Sequence, residues 1–347
     1  MKRASTLFLV GTMVFAAIGF YGCASNGERD ASANASIGII ETRETAKTSR
    51  VVLYDKELNE VAELPLNYAG VGNAFCDPLV YNGSLFTMSL GRSKAKDGSA
   101  VLQVDLGSLS TKAYAIDQPT VNDVAASDKY VFVCNATSHA TRINRCRTDD
   151  GSVSSVSVEG VYVSKLVWHE DSLYAFASSL DDGSSTILRY DENLTLEESI
   201  DSSAYDSDVY RTVAHDGGIY YCGTGLTGRQ IGVLDTEDNT ASTIQLSKGA
   251  ASSVAFANGK LYVAHYNVVQ GQDDSALSIV DLATGAIEEH AFQHEAQHMV
   301  ATEGSIYILG DWAIYQYDAE TIEPLGSRSI ESMPGSHSYL SGLFSVS

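Results

Sequence analysis

Six polar or charged residues recur along the chain at intervals of 42 to 46 residues, and their types change from copy to copy. They are Asp77, Asp123, Lys165, Arg211, Ser253 and His298. Each lies six residues before the same position of a recurring turn. A position that serves only packing would repeat its residue type, so this variation is typical of a functional site.

Together these side chains would form a mixed-charge pocket. Arg211 and Lys165 suit a carboxylate or phosphate group. His298 titrates near neutral pH and could act as a general base. The carboxylates of Asp77 and Asp123 could orient a histidine or bind a cation. The alternative is a solvated surface that any soluble side chain could line.

Three further residues are predicted to lie at the same place. Asn135 and His265 each come six residues after the turn position, and Trp312 belongs to a nearby loop. Trp312 suits stacking on a sugar or a peptide. We predict no metal and no other cofactor, because the chain has no zinc-type Cys/His spacing. His290, His294 and His298 are spaced four apart, but they lie in a segment between strands and are interpreted as a chance cluster.

The elements that must position these residues are short strands. A hairpin with an aromatic residue in its second strand recurs, with the aromatics at Phe86, Phe132, Tyr174, Tyr220, Tyr262 and Tyr307. Between its copies lies a second hairpin with an aspartate at its turn, at Asp55, Asp105, Asp191, Asp235, Asp281 and Asp318. These aspartates need no catalytic role, since an aspartate side chain hydrogen-bonds the turn backbone.

Each unit therefore predicts four antiparallel strands, and the chain holds seven copies, of which the one around Asp149 is degraded. Such a sheet has two apolar faces and open edges, and a closed ring of sheets buries both faces. We predict an all-β fold, a seven-bladed β-propeller. The first copy lacks a leading strand, and the C-terminal segment HSYLSGLFSVS predicts the strand that completes the first blade. An eighth blade is the alternative.

The repeats resemble a known class of proteins. An apolar residue, a glycine and then Leu-Tyr or Ile-Tyr recur, and residues 280–285 read V-D-L-A-T-G. On these motifs residues 37–347 resemble the YVTN/quinoprotein-like seven-bladed propellers of bacteria, within the wider WD40-like superfamily. WD40 repeats proper are disfavoured because the Trp-Asp and Gly-His pairs are missing. A quinone-dependent dehydrogenase is disfavoured because the tryptophan-rich blade signature is missing.

The N-terminal residues have the pattern of an export signal. Lys2 and Arg3 precede an apolar stretch, Leu7 to Phe20, that is short for a membrane span. Residues 20–23 read F-Y-G-C and resemble the lipobox of bacterial lipoproteins. The resemblance implies a signal peptide at 1–22, a lipid on Cys23, a flexible tether at 23–36 and a domain at the extracytoplasmic face of the cell membrane. The alternative is an ordinary secretory peptide cleaved nearby.

The charge and cysteine content limit the partners and the cross-links. The chain has 22 Lys and Arg against 44 Asp and Glu, a net charge of −22. Because it cannot neutralise a row of phosphates, we exclude nucleic acid as a partner, and docking on anionic lipid through a basic patch. Disulfides are permitted in an exported protein. Cys134 and Cys146, on consecutive strands, are the predicted pair, and Cys76 and Cys222 are predicted to be buried thiols.

These observations favour a binding module over an enzyme. The sequence predicts a clear scaffold and has no GxSxG, HExxH or P-loop motif. It therefore predicts that the chain binds a protein, peptide or glycan partner at the mouth of the propeller's central channel, where the recurring polar residues would lie. The alternative is a propeller enzyme of lactonase or lyase type, with His298 and His265 as the base and the electrophilic partner.

Overall fold

A computed structural model describes residues 32–43, 48–72, 77–89, 100–116, 121–205, 208–223, 228–267, 269, 271–334 and 338–346. Within these ranges every regular element is a β-strand, so no helix there is long and apolar enough to cross a membrane. The predicted signal peptide, Cys23 and Cys76 lie outside the described residues.

The described residues of the first four repeats contain fifteen strands. They are β1 (Ile37–Arg43), β2 (Thr48–Tyr54), β3 (Glu60–Leu66), β4 (Leu79–Tyr81), β5 (Ser84–Ser89), β6 (Ala100–Asp105), β7 (Ser110–Ala115), β8 (Asp123–Ala126), β9 (Tyr130–Ala136), β10 (Ala140–Arg147), β11 (Val153–Glu159), β12 (Val161–His169), β13 (Ser172–Ser179), β14 (Ser185–Tyr190) and β15 (Leu196–Asp201). The remaining strands are β16 (Arg211–His215), β17 (Gly218–Cys222), β18 (Gln230–Asp235), β19 (Thr240–Gln245), β20 (Ala251–Ala257), β21 (Lys260–Asn267), β22 (Gly271–Asp281), β23 (Ile287–Ala291), β24 (His298–Ala301), β25 (Ser305–Gly310), β26 (Ala313–Asp318), β27 (Pro324–Ser329) and β28 (Ser338–Ser345).

These strands pair into seven antiparallel sheets of four strands, the blades of a propeller. Blades 2 to 7 each use four consecutive strands, and their innermost strands are β4, β8, β12, β16, β20 and β24. Blade 1 has the order β28-β1-β2-β3, so the C-terminal strand is its innermost strand. The innermost strands contact one another in ring order and return to β28. The predicted seven-bladed propeller, with its first blade completed by the last strand, is confirmed.

The ring has two faces that differ in their loops. Turns from the first to the second strand and from the third to the fourth strand of each blade lie on one side, the turn face. Links from the second to the third strand, and from one blade to the next, lie on the other side, the connection face. Blade 1 has no turn between its first and second strands, because these are the last and the first strands of the domain. At that place the Val346 N–H donates to the Ser36 carbonyl at 3.0 Å. Both ends of the propeller domain therefore meet on the turn face.

The turns form where the sequence supplies their chemistry. Asp55 Oδ1 accepts hydrogen bonds from the backbone N–H groups of Glu57 at 3.0 Å and Asn59 at 2.7 Å. The two-residue turn between β4 and β5 places Asn82 and Gly83 at φ values of 46° and 68°, the left-handed conformation that Asn and Gly adopt most readily. The recurring turn residues therefore serve the backbone, as the sequence predicts.

The core is divided among the gaps between blades. Seven clusters of buried apolar side chains are found in the described residues, and each fills the space between two neighbouring blades. The cluster between blades 4 and 5, for example, brings Phe176 against Tyr221 with ring centroids 4.9 Å apart. Every blade thus depends on its neighbours to bury both of its faces.

The predicted disulfide between Cys134 and Cys146 is not formed in the structure. Cys134 stands opposite Ile143 across the β9–β10 pair, and Cys146 stands opposite Val131. Since side chains alternate along a strand, residues 143 and 146 of β10 point to opposite faces. Cys134 accordingly packs between blades 3 and 4, and Cys146 between blades 2 and 3. Cys222 is a buried thiol.

Candidate functional site

The recurring polar position lies at the connection-face end of the innermost strands. Asp123, Arg211 and His298 are the first residues of β8, β16 and β24. Lys165 lies in β12 directly after a bulge, and Asp77 precedes β4 by two residues. Because the innermost strands surround the channel, this position directs one residue of each blade toward the channel axis.

Blade 1 contributes Gly342 at this position. Gly342 pairs with Ile40, as Lys165 pairs with Phe176, and a bulge precedes both pairs. A Cβ atom at Gly342 would lie 2.3 Å from the Pro78 side chain. The ring of seven positions therefore holds six polar or charged residues and one glycine that allows the neighbouring blade to approach.

Asp77 and Arg211 form an ion pair across the channel. Arg211 Nη1 donates a hydrogen bond to Asp77 Oδ1. Asp77 leads into blade 2 and Arg211 belongs to blade 5, so the pair links blades that lie nearly opposite in the ring. His298, from blade 7, places its Nδ1 3.8 Å from the same oxygen, which is longer than a hydrogen bond. Side chains from three blades thus meet around one carboxylate.

The surroundings set the protonation states of this cluster. Burial favours a raised pKa for Asp77, but Arg211 and His298 hold the pKa of its carboxyl below the usual value. Burial lowers the pKa of His298, and the positive charge of Arg211 lowers it further, against the opposing effect of Asp77. At neutral pH the cluster therefore holds a carboxylate, a guanidinium and a neutral imidazole.

A second buried ion pair joins neighbouring blades 3 and 4. Lys165 Nζ lies 3.1 Å from Asp123 Oδ1, and the backbone N–H of Leu166 donates to Asp123 Oδ2 at 2.8 Å. Burial raises the pKa of Asp123, although Lys165 and the Leu166 N–H oppose the change. Both basic residues of the predicted pocket are thus paired with its carboxylates.

The other predicted residues lie apart from these two pairs. Asn135 is 1% exposed, and neither of its side-chain polar atoms has a hydrogen-bond partner among the described residues. Trp312 is half-buried and packs against the apolar cluster between blades 7 and 1. Ser253 donates weakly to the Met299 carbonyl at 3.4 Å. None of these contacts includes Asp77 or Arg211.

The two histidines of the enzymatic alternative have separate surroundings. His265 Nδ1 lies 2.7 Å from the Gly249 carbonyl, and its Nε2 lies 2.8 Å from the Ser278 hydroxyl. Burial lowers the pKa of His265 in spite of the Gly249 bond. His298 instead faces Asp77, and the described contacts give the two imidazoles no shared partner.

The spaced histidines 290, 294 and 298 do not converge on a common point. His294 engages the Glu295 carbonyl at 2.8 Å and the Tyr317 hydroxyl at 2.6 Å, and its ring stacks on Tyr315 with centroids 3.6 Å apart. Within the described ranges no group of three His, Cys, Asp or Glu residues is placed to hold a metal ion. His294 belongs to the packing between blades 6 and 7.

The channel also contains a cavity that the sequence pattern did not point to. It has a volume of about 300 Å³, includes Asp77 in its lining and extends along the innermost strands of blades 1, 2, 5, 6 and 7. Phe256, Phe344 and Thr212 line it. Their place in the repeat could have indicated these lining residues, because each lies within three residues of the recurring polar position on the same innermost strand.

Comparison with solved structures identifies the same architecture in proteins of different kinds. The chain is similar to the dihydro-heme d1 dehydrogenase NirN, with a TM-score of 0.57 and 15% identity, over 86% of this chain and 64% of the dehydrogenase. It is similar to Sqt1 of Saccharomyces cerevisiae, with a TM-score of 0.55 and 11% identity, over 86% and 87% of the two chains. It is also similar to a protein of Desulfotomaculum acetoxidans whose function is unknown, with a TM-score of 0.59 and 12% identity, over 89% and 99%.

The fold is that of a β-propeller. At these identities the likeness concerns the fold alone, and the chain spans under two thirds of the dehydrogenase. No protein-family model matches the sequence, and no curated protein matches it. The propeller fold is compatible with a binding or scaffold role.

Proposed function

We propose that this chain is an exported, lipid-anchored propeller of the YVTN/quinoprotein-like class that binds a protein, peptide or glycan partner at the connection face. The observation that carries the proposal is the convergence of Asp77, Arg211 and His298 from three blades at that end of the channel. Polar groups held at fixed distances by a rigid scaffold can orient a partner. The ion pairs leave no exposed general base among them, which favours binding over catalysis.

The position of the N-terminal strand supports this arrangement. β1 begins at Ile37 on the turn face, where it pairs with Ser345 of β28. A lipid on Cys23 would therefore hold the turn face toward the membrane, on a tether that spans at most about 50 Å when extended. The connection face would then point away from the membrane and toward a partner.

The anchor can be tested separately from the partner. We expect the full chain to fractionate with membranes and to incorporate labelled fatty acid, and the Cys23→Ser chain to lose both properties. Incorporation of label by the Cys23→Ser chain, or a wild-type chain that is released without lipid, would refute the anchor.

The partner site is tested by co-purification from cross-linked membranes. We expect the wild-type chain to retain a partner that the double variant Asp77→Asn, Arg211→Gln, which removes both charges of one pair, loses while remaining folded. The matched control is Glu170→Gln with Asp171→Asn, two exposed acids on the turn face, which should retain the partner. Recovery of the same partner by the folded double variant would place the site elsewhere.

A further inference from the structure

The channel cavity extends to the turn face and is lined mainly by apolar residues. Its wall runs from Asp77 and Pro78 down the innermost strands to Phe256, Ala301 and Ser345, which are half-exposed at the turn-face end. A volume of about 300 Å³ is within the range of small-molecule sites. A ligand with an apolar body would therefore fit lengthwise in the channel.

The connection-face end of this cavity presents a carboxylate. Asp77 lines it, and among the described residues its carboxylate contacts Arg211 and His298 through Oδ1. His298 is 3% exposed and does not line the cavity, and its Nδ1 lies 3.8 Å from Asp77 Oδ1. The guanidinium of Arg211 engages Oδ1 and does not line the cavity.

The turn-face rim of the channel carries mainly acidic residues. Every turn on this face is described, and within these turns Lys56 and Lys129 are the only basic residues. The exposed acids of the inner turns, between the first and second strands, are Asp128, Glu170, Asp171, Asp216 and Glu303. A narrow opening surrounded by charge of one sign concentrates ions of the opposite sign.

We propose that the channel binds a small organic cation, an ammonium or guanidinium group on an apolar body, which enters from the turn face. The acidic rim attracts the cation, the cavity walls of Val213, Phe256 and Val300 bury its apolar part, and the Asp77 carboxylate accepts its N–H hydrogen bonds. An anionic ligand would have to pass the acidic rim and would then meet the Asp77 carboxylate. This site needs neither the lipid anchor nor the proposed partner on the connection face.

The experiment compares three ligands of one shape on the detergent-solubilised full chain by titration calorimetry at low salt. They are phenethylammonium, the neutral 2-phenylethanol and the anionic 3-phenylpropionate. We expect saturable binding of the cation and at least about tenfold weaker binding of the other two, as the loss of a charge-assisted hydrogen bond implies. Equal affinity for all three ligands, or no saturable binding of the cation, would overturn the proposal.

Two variants locate the binding to this cavity. Thr212→Phe fills the channel and is expected to abolish cation binding, whereas Thr111→Phe, at an exposed position of the outermost strand of blade 2, should leave it unchanged. Asp77→Asn should weaken the cation by about tenfold or more, with Glu198→Gln on an exposed outer strand as its control. Undiminished binding by the folded Thr212→Phe chain would contradict the site even if Asp77→Asn failed to fold.

Discussion

At the scale of single residues, the centre of the propeller is a set of charges that compensate one another. Asp77 and Asp123 occupy equivalent positions of different blades, yet the pKa of Asp77 is lowered and that of Asp123 is raised. Both carboxyls are subject to burial. Asp77 faces Arg211 and His298, whereas Asp123 has Lys165 alone as its charged partner, so the balance of burial against charge differs. Carboxyls at equivalent positions of the repeat therefore have pKa values shifted in opposite directions.

The Lys165–Asp123 pair gives a residue-scale prediction. Replacing Lys165 by Met leaves a carboxylate buried without its counter-charge, and we expect it to lower the free energy of unfolding by about 3–5 kcal/mol. The double variant Lys165→Met, Asp123→Asn removes both charges and should lose less than the single variant. Urea unfolding at pH 7 measures both.

An exposed ion pair supplies the control for this cycle. Lys129 Nζ lies 3.2 Å from Glu192 Oε2, and the two side chains are 69% and 42% exposed. Lys129→Met should cost less than about 1 kcal/mol. A double variant that lost as much stability as Lys165→Met, or more, would contradict the prediction.

The sequence predicted where these residues lie but not which of them pair. Intervals of one repeat placed Asp77, Arg211 and His298 at equivalent positions, and the structure brings them together. Their pairing depends on which blades face each other across the channel, a distance that no repeat spacing contains. His265 shared the repeat alignment, but its side chain is directed between blades, where Ser278 of a neighbouring strand binds it.

At the scale of elements, strand order was the part of the fold most readable from the sequence. The missing first strand of the first repeat and the unaccompanied C-terminal strand predicted the order β28-β1-β2-β3. Side-chain direction was less readable. The two cysteines on consecutive strands suggested a disulfide, but Cys146 lies three residues beyond Ile143, the residue that pairs with Cys134, and therefore points to the opposite face of the sheet. Pairing register, which sets that direction, needs the hairpin geometry as well as the strand positions.

The closure of the ring through β28 gives an element-scale prediction. A Cβ at Gly342 would lie 2.3 Å from Pro78, at the junction of blades 1 and 2. We expect Gly342→Ala to lower the free energy of unfolding by about 1–3 kcal/mol, because β28 must shift away from β4. Gly326→Ala on the exposed strand β27, where nothing lies within 4 Å, is the matched control and should change stability by less than about 1 kcal/mol. Equal effects would mean that β28 is not held closely against β4.

At the scale of the whole molecule, the two faces of the ring are built from different chemistry. The turn face carries the acidic turn residues that satisfy its backbone, and the connection-face end of the channel carries paired charges of both signs. Part of the excess of acidic residues, 44 against 22 basic ones, therefore stabilises turns, in addition to favouring solubility. Under the two proposals made above, a small cation and a larger partner would use opposite ends of one channel.

The buried histidines make the stability of the whole propeller depend on pH. Burial lowers the pKa values of His265, His294 and His298 below 6.5. Unfolding exposes each imidazole, so below pH 6.5 the unfolded chain binds more protons than the folded one. The stability that these groups contribute is complete above about pH 6.5 and is lost as the pH falls through their folded pKa values. Asp123 acts in the opposite sense, because its raised pKa favours the folded chain at lower pH.

We therefore expect the urea midpoint to fall as the pH is lowered from 7.5 to 5, because the free energy of unfolding decreases by up to about 1.4 kcal/mol for each unit by which a histidine pKa is lowered. His265→Gln should flatten this pH dependence whatever its effect on stability at pH 7.5, because it removes one of the three groups. His139→Gln, at an exposed loop position, should leave the slope unchanged. A midpoint that stayed constant or rose between pH 7.5 and 5 would mean that the three imidazoles are not protected from protonation in the folded ring.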